Sequence, residues 1–220
     1  MLLPFVSCKK WLDLQPQDGL TRAEYWKTKE QVQAAVTGCY ASLTGSPTGM
    51  RSPAESFFLW GELRADMITS SLATTNEQID VINVNMLPTN SIANWNGIYQ
   101  VINYCNTVID FAPSVLTKDA TYTQAALDKS IAEVKAIRAL MYFYLVRTFD
   151  EVPLKLKSTS SDQDVVAIAK TSQTEVLTQV LKDLNEAEAF AVVDYGNRGA
   201  NKGKITKAAI NAIQADVYLW

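Results

Sequence analysis

Histidine is absent from all 220 residues, so any proton-transfer chemistry in this chain falls to carboxylates or lysine. The carboxylates that pair in sequence are Glu186 with Glu188 and Asp162 with Asp164. On a helix, residues two apart point in different directions, so Glu186 and Glu188 form no catalytic dyad and read as solvated charges. No Gly-x-Ser-x-Gly elbow, phosphate-binding loop or dinucleotide glycine pattern occurs. The three cysteines, Cys8, Cys39 and Cys105, form no Cys-x-x-Cys pair. Without histidine they cannot assemble a cysteine/histidine zinc site, and nothing calls for another metal or a cofactor. Cys39 and Cys105 lie in apolar helical patterns and read as buried small hydrophobes.

What the residue types do favour is recognition of hydroxyl-rich ligands. A sugar is held by an aromatic face against its ring and by amide, carboxylate or guanidinium groups on its hydroxyls. The stretch from Ser70 to Trp95 supplies that mixture: Asn76, Gln78, Asp80, Asn83, Asn85, Asn90 and Asn94, then Trp95. Of these, Asn76, Asp80, Asn83, Asn85, Asn94 and Trp95 are the candidate ligand contacts. Trp95 also falls on the apolar stripe of its helix, where core is the stronger reading. A second group, Glu62, Arg64 and Asp66, reads as a structural charge cluster at a helix end, pairing with Arg138 or Arg147.

These residues need a scaffold, and its signals are helical. Thr28-x-x-Gln31 is a capping box ahead of Val32, Val36, Cys39 and Leu43, and glycines around Pro47 end that helix. A second helix is expected from about Pro53 to Ala65. Residues 68–90 lack a clean period and read as a long loop, with a short strand near Val81–Val84. A third helix is expected over Ser91–Phe111. The fourth, Tyr122–Thr148, carries Ile131, Val134, Arg138, Met141, Tyr142, Leu145 and Phe149 at three- and four-residue steps. Tyr142, Phe143 and Tyr144 add rings on most sides, so this helix should be buried nearly all round. Val152-Pro153 then forces an extended exit. Lys155–Thr171 reads as a polar crossover, Ser172-x-x-Glu175 as another capping box, and Asp194–Gly203 as a glycine-bearing loop. The last helix starts at Thr206, with Ile205 and Ile210 as a hydrophobic staple. The pattern alone reaches an all-α fold rich in helix hairpins; no strict 34-residue period is present.

Composition sets the remaining bounds. Hydrophobic residues make up 48% of the chain, enough for a sizeable single core, and the net charge is −3 with the signs interspersed. No basic stripe points to nucleic acid. No apolar run is long enough for a membrane-crossing helix. Leu2-Leu3-Pro4-Phe5-Val6-Ser7-Cys8 is a short apolar run closing on a small residue and cysteine. It reads as the remnant of a lipoprotein signal over residues 1–7, with Cys8 as the acylated residue and 8–220 as the mature chain. No Lys or Arg precedes it, and the run is shorter than usual, which is expected if its true start lies upstream. Val217-Tyr218-Leu219-Trp220 is a helical pattern that stops without a cap, so the chain reads as the N-terminal part of a longer domain.

The segment Glu133–Leu154, EVKAIRALMYFYLVRTFDEVPL, resembles the signature helix of the SusD/RagB family of outer-membrane nutrient-binding lipoproteins. Arg138-Ala139, Tyr142-Phe143, Leu145, Arg147, Phe149 and Val152-Pro153 carry the match. Asp150 stands where that family usually has glycine, and Asp tolerates left-handed backbone better than most residues. Further resemblances follow in the family's order: Trp11-Leu12-Asp13 with Gln15-Pro16, Ala34–Tyr40, Gly61–Asp66, Trp95–Ile109 and Gly203–Ala209.

The resemblance implies a tetratricopeptide-like helical-hairpin scaffold with long irregular loops that carry the ligand contacts. It implies a non-catalytic, lipid-anchored, surface-exposed protein of the cell outer membrane. Such a protein binds nutrient oligosaccharides and delivers them to a SusC-like TonB-dependent transporter. A soluble helical-repeat scaffold for protein interaction and a carbohydrate-active enzyme remain the alternatives.

Overall fold

The fold is organised around one long helix whose composition explains its position. In a computed structural model that describes residues 22–45, 48–65, 68–85, 87–161 and 164–220, that helix runs from Gln124 to Phe149. The Thr123 hydroxyl accepts from the Ala126 N–H and starts it. Ala136, Ile137, Arg138, Ala139, Met141, Tyr142, Phe143, Leu145 and Val146 are all buried. Residues so nearly consecutive point all round the axis, so neighbours must cover every side. Burying Tyr142 and Phe143 alone contributes roughly 1.5–3 kcal/mol each.

The surrounding elements follow in chain order. Helix α1 is Arg22–Tyr25, α2 is Lys29–Thr44, α3 is Pro53–Glu62 and α4 is Asn76–Ile82. Helix α5 is Asn96–Phe111, and the central helix Gln124–Phe149 is α6. Two short strands, β1 (Val152–Pro153) and β2 (Lys170–Thr171), pair antiparallel and bracket the crossover. Helices α7 (Gln173–Glu188), α8 (Arg198–Gly203) and α9 (Lys207–Leu219) complete the order.

Side-chain pairs give the helix directions. Lys135 bonds Glu186 and Arg138 bonds Asp183, so α7 runs antiparallel to α6. Asn106 against Arg138 and Tyr99 against Tyr142 set α5 antiparallel on another side. Phe57 stacks on Tyr144 and Trp60 meets Phe149, so α3 runs parallel to α6. Lys207 reaches Glu188 and Gln214 bonds Asn185, which lays α9 back along α7. The helix-hairpin expectation is met.

The local starts are as the sequence implies. Thr28 and Gln31 form a reciprocal capping box, Ser172 accepts from the Glu175 N–H, and Thr206 from Ala209. Cys39 and Cys105 are buried and free. Burial pushes the Cys105 thiol well up, with Cys39 beside it.

Other expectations need correction. The strand foreseen near Val81–Val84 is absent: Val81 and Ile82 end α4, which Thr75 and Gln78 open with a second complete capping box. Seven residues are too few for a helical period to stand out, and the box is the stronger signal. Helix α3 stops at Glu62, short of Ala65. The third helix is broken: Ser91–Ala93 is a 3₁₀ turn, and α5 begins only at Asn96. The loop Asp194–Gly203 contains α8, capped by Asn197. Cys8, Asp66, Trp11–Asp13 and Gln15-Pro16 lie outside the described residues.

Candidate functional site

The break before α5 makes the site. Asn90 Oδ1 accepts from the Ile92 N–H at 2.9 Å, which closes the 3₁₀ turn. Asn94 Oδ1 accepts from the Asn96 N–H at 2.8 Å, which turns the chain into α5. Between them Trp95 sits at the helix start, only partly buried. It meets Phe149 edge-on at 5.0 Å and Tyr99 at 5.8 Å. Buried Ile92 pins the turn from below, and its carbonyl accepts from the Trp60 indole N–H at 2.6 Å.

Trp95 is shared by two adjoining hollows. One, of about 500 Å³, has a floor of Trp60, Trp95 and Phe149 and a rim that includes Arg64, Glu151 and Lys170. The other, of about 300 Å³, is a shallow polar shelf formed by Thr89, Ser91, Asn94 and Asn96 with Trp95. Together they place an indole beside hydroxyl, amide and charged groups, the chemistry a sugar requires.

The strands and the first turn of α5 hold this cleft in place. β1 and β2 set Glu151 and Lys170 on one side, since Pro153 pairs with Lys170 and Val152 with Thr171. The Tyr99 hydroxyl donates to the Pro153 carbonyl at 2.7 Å; burial and the neighbouring Tyr142 push its pKa up. Arg51 donates to the Ser91 carbonyl at 2.8 Å. Gly97 lets the Arg51 backbone close in, for a Cβ at that position would stand 2.2 Å from the Arg51 carbonyl oxygen.

Of the candidate contacts, Asn94 and Trp95 line the cleft. Asp80 and Asn85 bond each other at 3.2 Å and lock the end of α4. Asn83 is the exposed C-cap of α4 and Asn76 opens it, exposed; neither is among the residues lining the two hollows.

The charge cluster is corrected. Glu62 and Arg64 are exposed and make no ion pair among the described residues; Arg64 instead faces the cleft. Arg138 is buried against other partners, Asp183 and Asn106. Arg147 pairs with Asp216 at 3.0 Å. Sequence reading misses Thr89 and Asn96, whose only signal is that they flank Asn94-Trp95. It also misses Glu151 and Lys170, which line one hollow because two short strands pair across a crossover.

A larger groove of about 870 Å³ lies between α2 and α5, lined by Trp26, Ala34, Gly38 and Tyr104 among others. Its walls are chiefly apolar, and the Tyr25, Ser42, Thr107 and Ser160 hydroxyls on them donate to protein oxygens, so the Trp95 cleft is the better candidate.

Comparison with known proteins agrees with this helical architecture. Residues 10–219 match the SusD-like family model described as "Starch-binding associating with outer membrane". SusD-like protein P38 of Formosa agariphila is 28% identical over 219 residues, covering 97% of this chain and 39% of that protein. The starch-binding protein SusD of Bacteroides thetaiotaomicron is 27% identical, over 97% of this chain and 38% of its own. The chain thus spans about two fifths of the length of these relatives. The solved structure of B. fragilis NanU superposes with a TM-score of 0.74 at 27% identity, over 94% of this chain and 39% of that one. On its family match and its helical architecture, the chain belongs to the SusD-like family.

Proposed function

We propose that the Trp95 cleft binds a sugar residue of a nutrient glycan. The observation that carries this reading is the position of Trp95: a partly exposed indole at a helix start, open to an aromatic hollow on one side and a polar shelf on the other. The family description and the starch-binding relative support the ligand class. Among the described residues that line the two hollows, Glu151 is the one carboxylate. Glycoside hydrolysis ordinarily uses two, so the lining favours binding without cleavage.

We place the whole protein at the outer membrane, with residues 1–7 as a signal remnant, Cys8 as the lipid-bearing residue and 8–220 as the start of the binding domain. It passes oligosaccharides to a SusC-like TonB-dependent transporter. No described helix is long and apolar enough to cross a membrane. Acyl chains on Cys8 would therefore supply the anchor, and stable anchoring takes two such signals.

The test is titration of tryptophan fluorescence with maltoheptaose, laminarihexaose and xylohexaose. At least one should bind saturably to the wild-type chain, and Trp95→Ala should weaken it roughly tenfold or more, as loss of a stacking partner does. Equal affinity of variant and wild type sinks the site. For the anchor, Cys8→Ala in the complete protein with a full signal peptide should leave the membrane fraction; retention there removes Cys8 as the lipid site.

A further inference from the structure

Cys39 on α2 and Cys105 on α5 play no part in the Trp95 cleft, yet the fold brings them together. The two helices run antiparallel. At one end the Trp26 ring stacks on Phe111 at 6.0 Å, and at the other the Gln100 amide donates to the Thr48 hydroxyl at 3.4 Å. Cys39 lies about three fifths of the way from Trp26 to Thr48, and the same fraction of the way from Phe111 to Gln100 falls at Tyr104 and Cys105. Tyr104 is half-buried, whereas Cys105 has no exposed surface. Cys39 has none either, so both side chains turn into the interface between the helices. Ala35 and Ser42 lie one turn to either side of Cys39 on its face. They are small, and the distance between packed helices falls with the size of the side chains at the contact.

Both cysteines are free thiols in the structure. Burial pushes the Cys105 thiol well up, and the adjoining Cys39 adds to this. Thiolate, the form that attacks a disulfide, is therefore scarce once the helices have closed. A bond between the two sulfurs has to be made while the chain is still folding. The placement at the outer membrane proposed above puts that folding outside the reducing cytoplasm, where disulfides form and persist.

We propose that Cys39 and Cys105 are joined by a disulfide in the mature protein, a covalent staple between α2 and α5 made as the chain folds. The oxidant is itself a disulfide. One cysteine thiolate attacks a sulfur of the oxidant and expels one thiol; the other cysteine then attacks that mixed disulfide at the protein sulfur and expels the second. The two cysteine protons end on the two thiols released, and the two electrons reduce the oxidant.

The test is refolding of the whole chain from denaturant in a buffer of oxidised and reduced glutathione. Free thiols are trapped with iodoacetamide and the peptides mapped by mass spectrometry. The Cys39 and Cys105 peptides should appear joined, lighter by two hydrogens than their sum. The oxidised chain should melt roughly 4–16 °C above the chain refolded with reductant, as a bridge closing a long loop does in a protein of this size. Cys105→Ala should melt at one temperature with and without reductant. Chain that precipitates on refolding is replaced by chain exported to a bacterial periplasm, alkylated before extraction and mapped in the same way. Recovery of both cysteines alkylated, or each joined to Cys8 or to glutathione, would overturn the proposal. So would a bridge that leaves the melting temperature unchanged or lowers it. The refolding result does not depend on where the protein resides, which fractionation of Cys8→Ala tests by itself.

Discussion

The Arg138 guanidinium and the Asp183 carboxylate meet face to face inside the helical core. Nε and Nη2 each donate to one carboxylate oxygen at 2.7 Å, and both side chains are almost wholly buried. The third direction of the fork is used too, since Nη1 donates to Asn106 Oδ1 at 2.7 Å. Asn106 in turn donates to the carbonyls of Lys155 and Lys157. One arginine on α6 therefore ties α7, α5 and the crossover together. Burial opposes the charge on Arg138, but the bonds and charge of Asp183 prevail and hold its pKa up. Removing one partner strands the other: Asp183→Ala should destabilise the chain by about 3–5 kcal/mol. Replacing both by apolar residues of similar volume should cost much less. Denaturant midpoints of the single and double variants check this, and an Asp183→Ala midpoint equal to wild type would refute it.

The Arg138 partnership also shows where sequence reading stops. Arg138 was legible as a buried position because it shares a stripe with Val134, Met141 and Leu145. Its partner was not, because Asp183 looks like any acidic residue on an amphipathic helix until α7 folds back on α6. The Glu62–Arg64 group attracted the pairing instead, although both residues are exposed. The capping box at Thr28 and the Ser172 cap were readable because they are local in sequence, although Glu175 takes the Ser172 hydroxyl rather than its backbone N–H and leaves that box incomplete. The box at Thr75 was equally local and was passed over for want of a long period. At the site, Asn94-Trp95 could be found from residue type. Lys170 and Glu151 join it through strand pairing, which no short pattern encodes.

Gly97 is fixed by the approach of another backbone rather than by its own dihedral angles. A methyl group there would meet the Arg51 carbonyl oxygen at 2.2 Å, and neither backbone can yield without shifting α5 or the start of α3. Gly97→Ala should cost roughly 1–3 kcal/mol, as overpacking does, despite the better helix propensity of alanine. Thermal unfolding decides it; an unchanged or raised midpoint would mean the two segments separate freely.

Glu133 gives the chain a pH dependence of definite sign. Burial raises its pKa above the ordinary 4.5, although the bond from Tyr40 and the charge of Lys204 pull the other way. The folded state thus holds this proton more tightly than the unfolded state. Folding stability from this group is present below pH 4.5 and declines as pH rises through the raised value. Glu133→Gln should lack that decline while Oε1 still accepts from Tyr40. Stability of the two proteins measured from pH 4 to 8 should diverge upward in favour of the variant; parallel curves would count against the raised value.

Phe143 tests the central helix directly. It is 1% exposed and its ring takes the Arg147 guanidinium at 5.0 Å. Phe143→Ala removes that packing and leaves a cavity, at about 3–5 kcal/mol. A shift of the denaturation midpoint too small to measure would mean that α6 is not the core of the fold.

Asp150 ends α6 at φ 64° and ψ −88°, close to the γ-turn geometry that is rare and strained for a residue with a Cβ. The turn exists because the chain must leave α6 and reach β1 within two residues, with Phe149 held against Trp95 on one side and Val152 fully buried on the other. The Asp150 N–H still donates to the Val146 carbonyl at 2.9 Å, so the cap is made and only the dihedral angles are unfavourable. Strain of this kind is worth roughly 1–3 kcal/mol. Glycine relieves it but loses about 0.5–1 kcal/mol through the entropy of the unfolded chain. Asp150→Gly, the residue that the SusD-like signature carries here, should therefore stabilise the protein by about 1 kcal/mol. For a chain of this size that is a rise of roughly 2–4 °C in melting temperature. Asp150→Ala keeps the Cβ and should give no such rise. If both substitutions lower the melting temperature equally, the Asp150 side chain contributes something that offsets its strain, and the turn is not the weak point that its dihedral angles indicate.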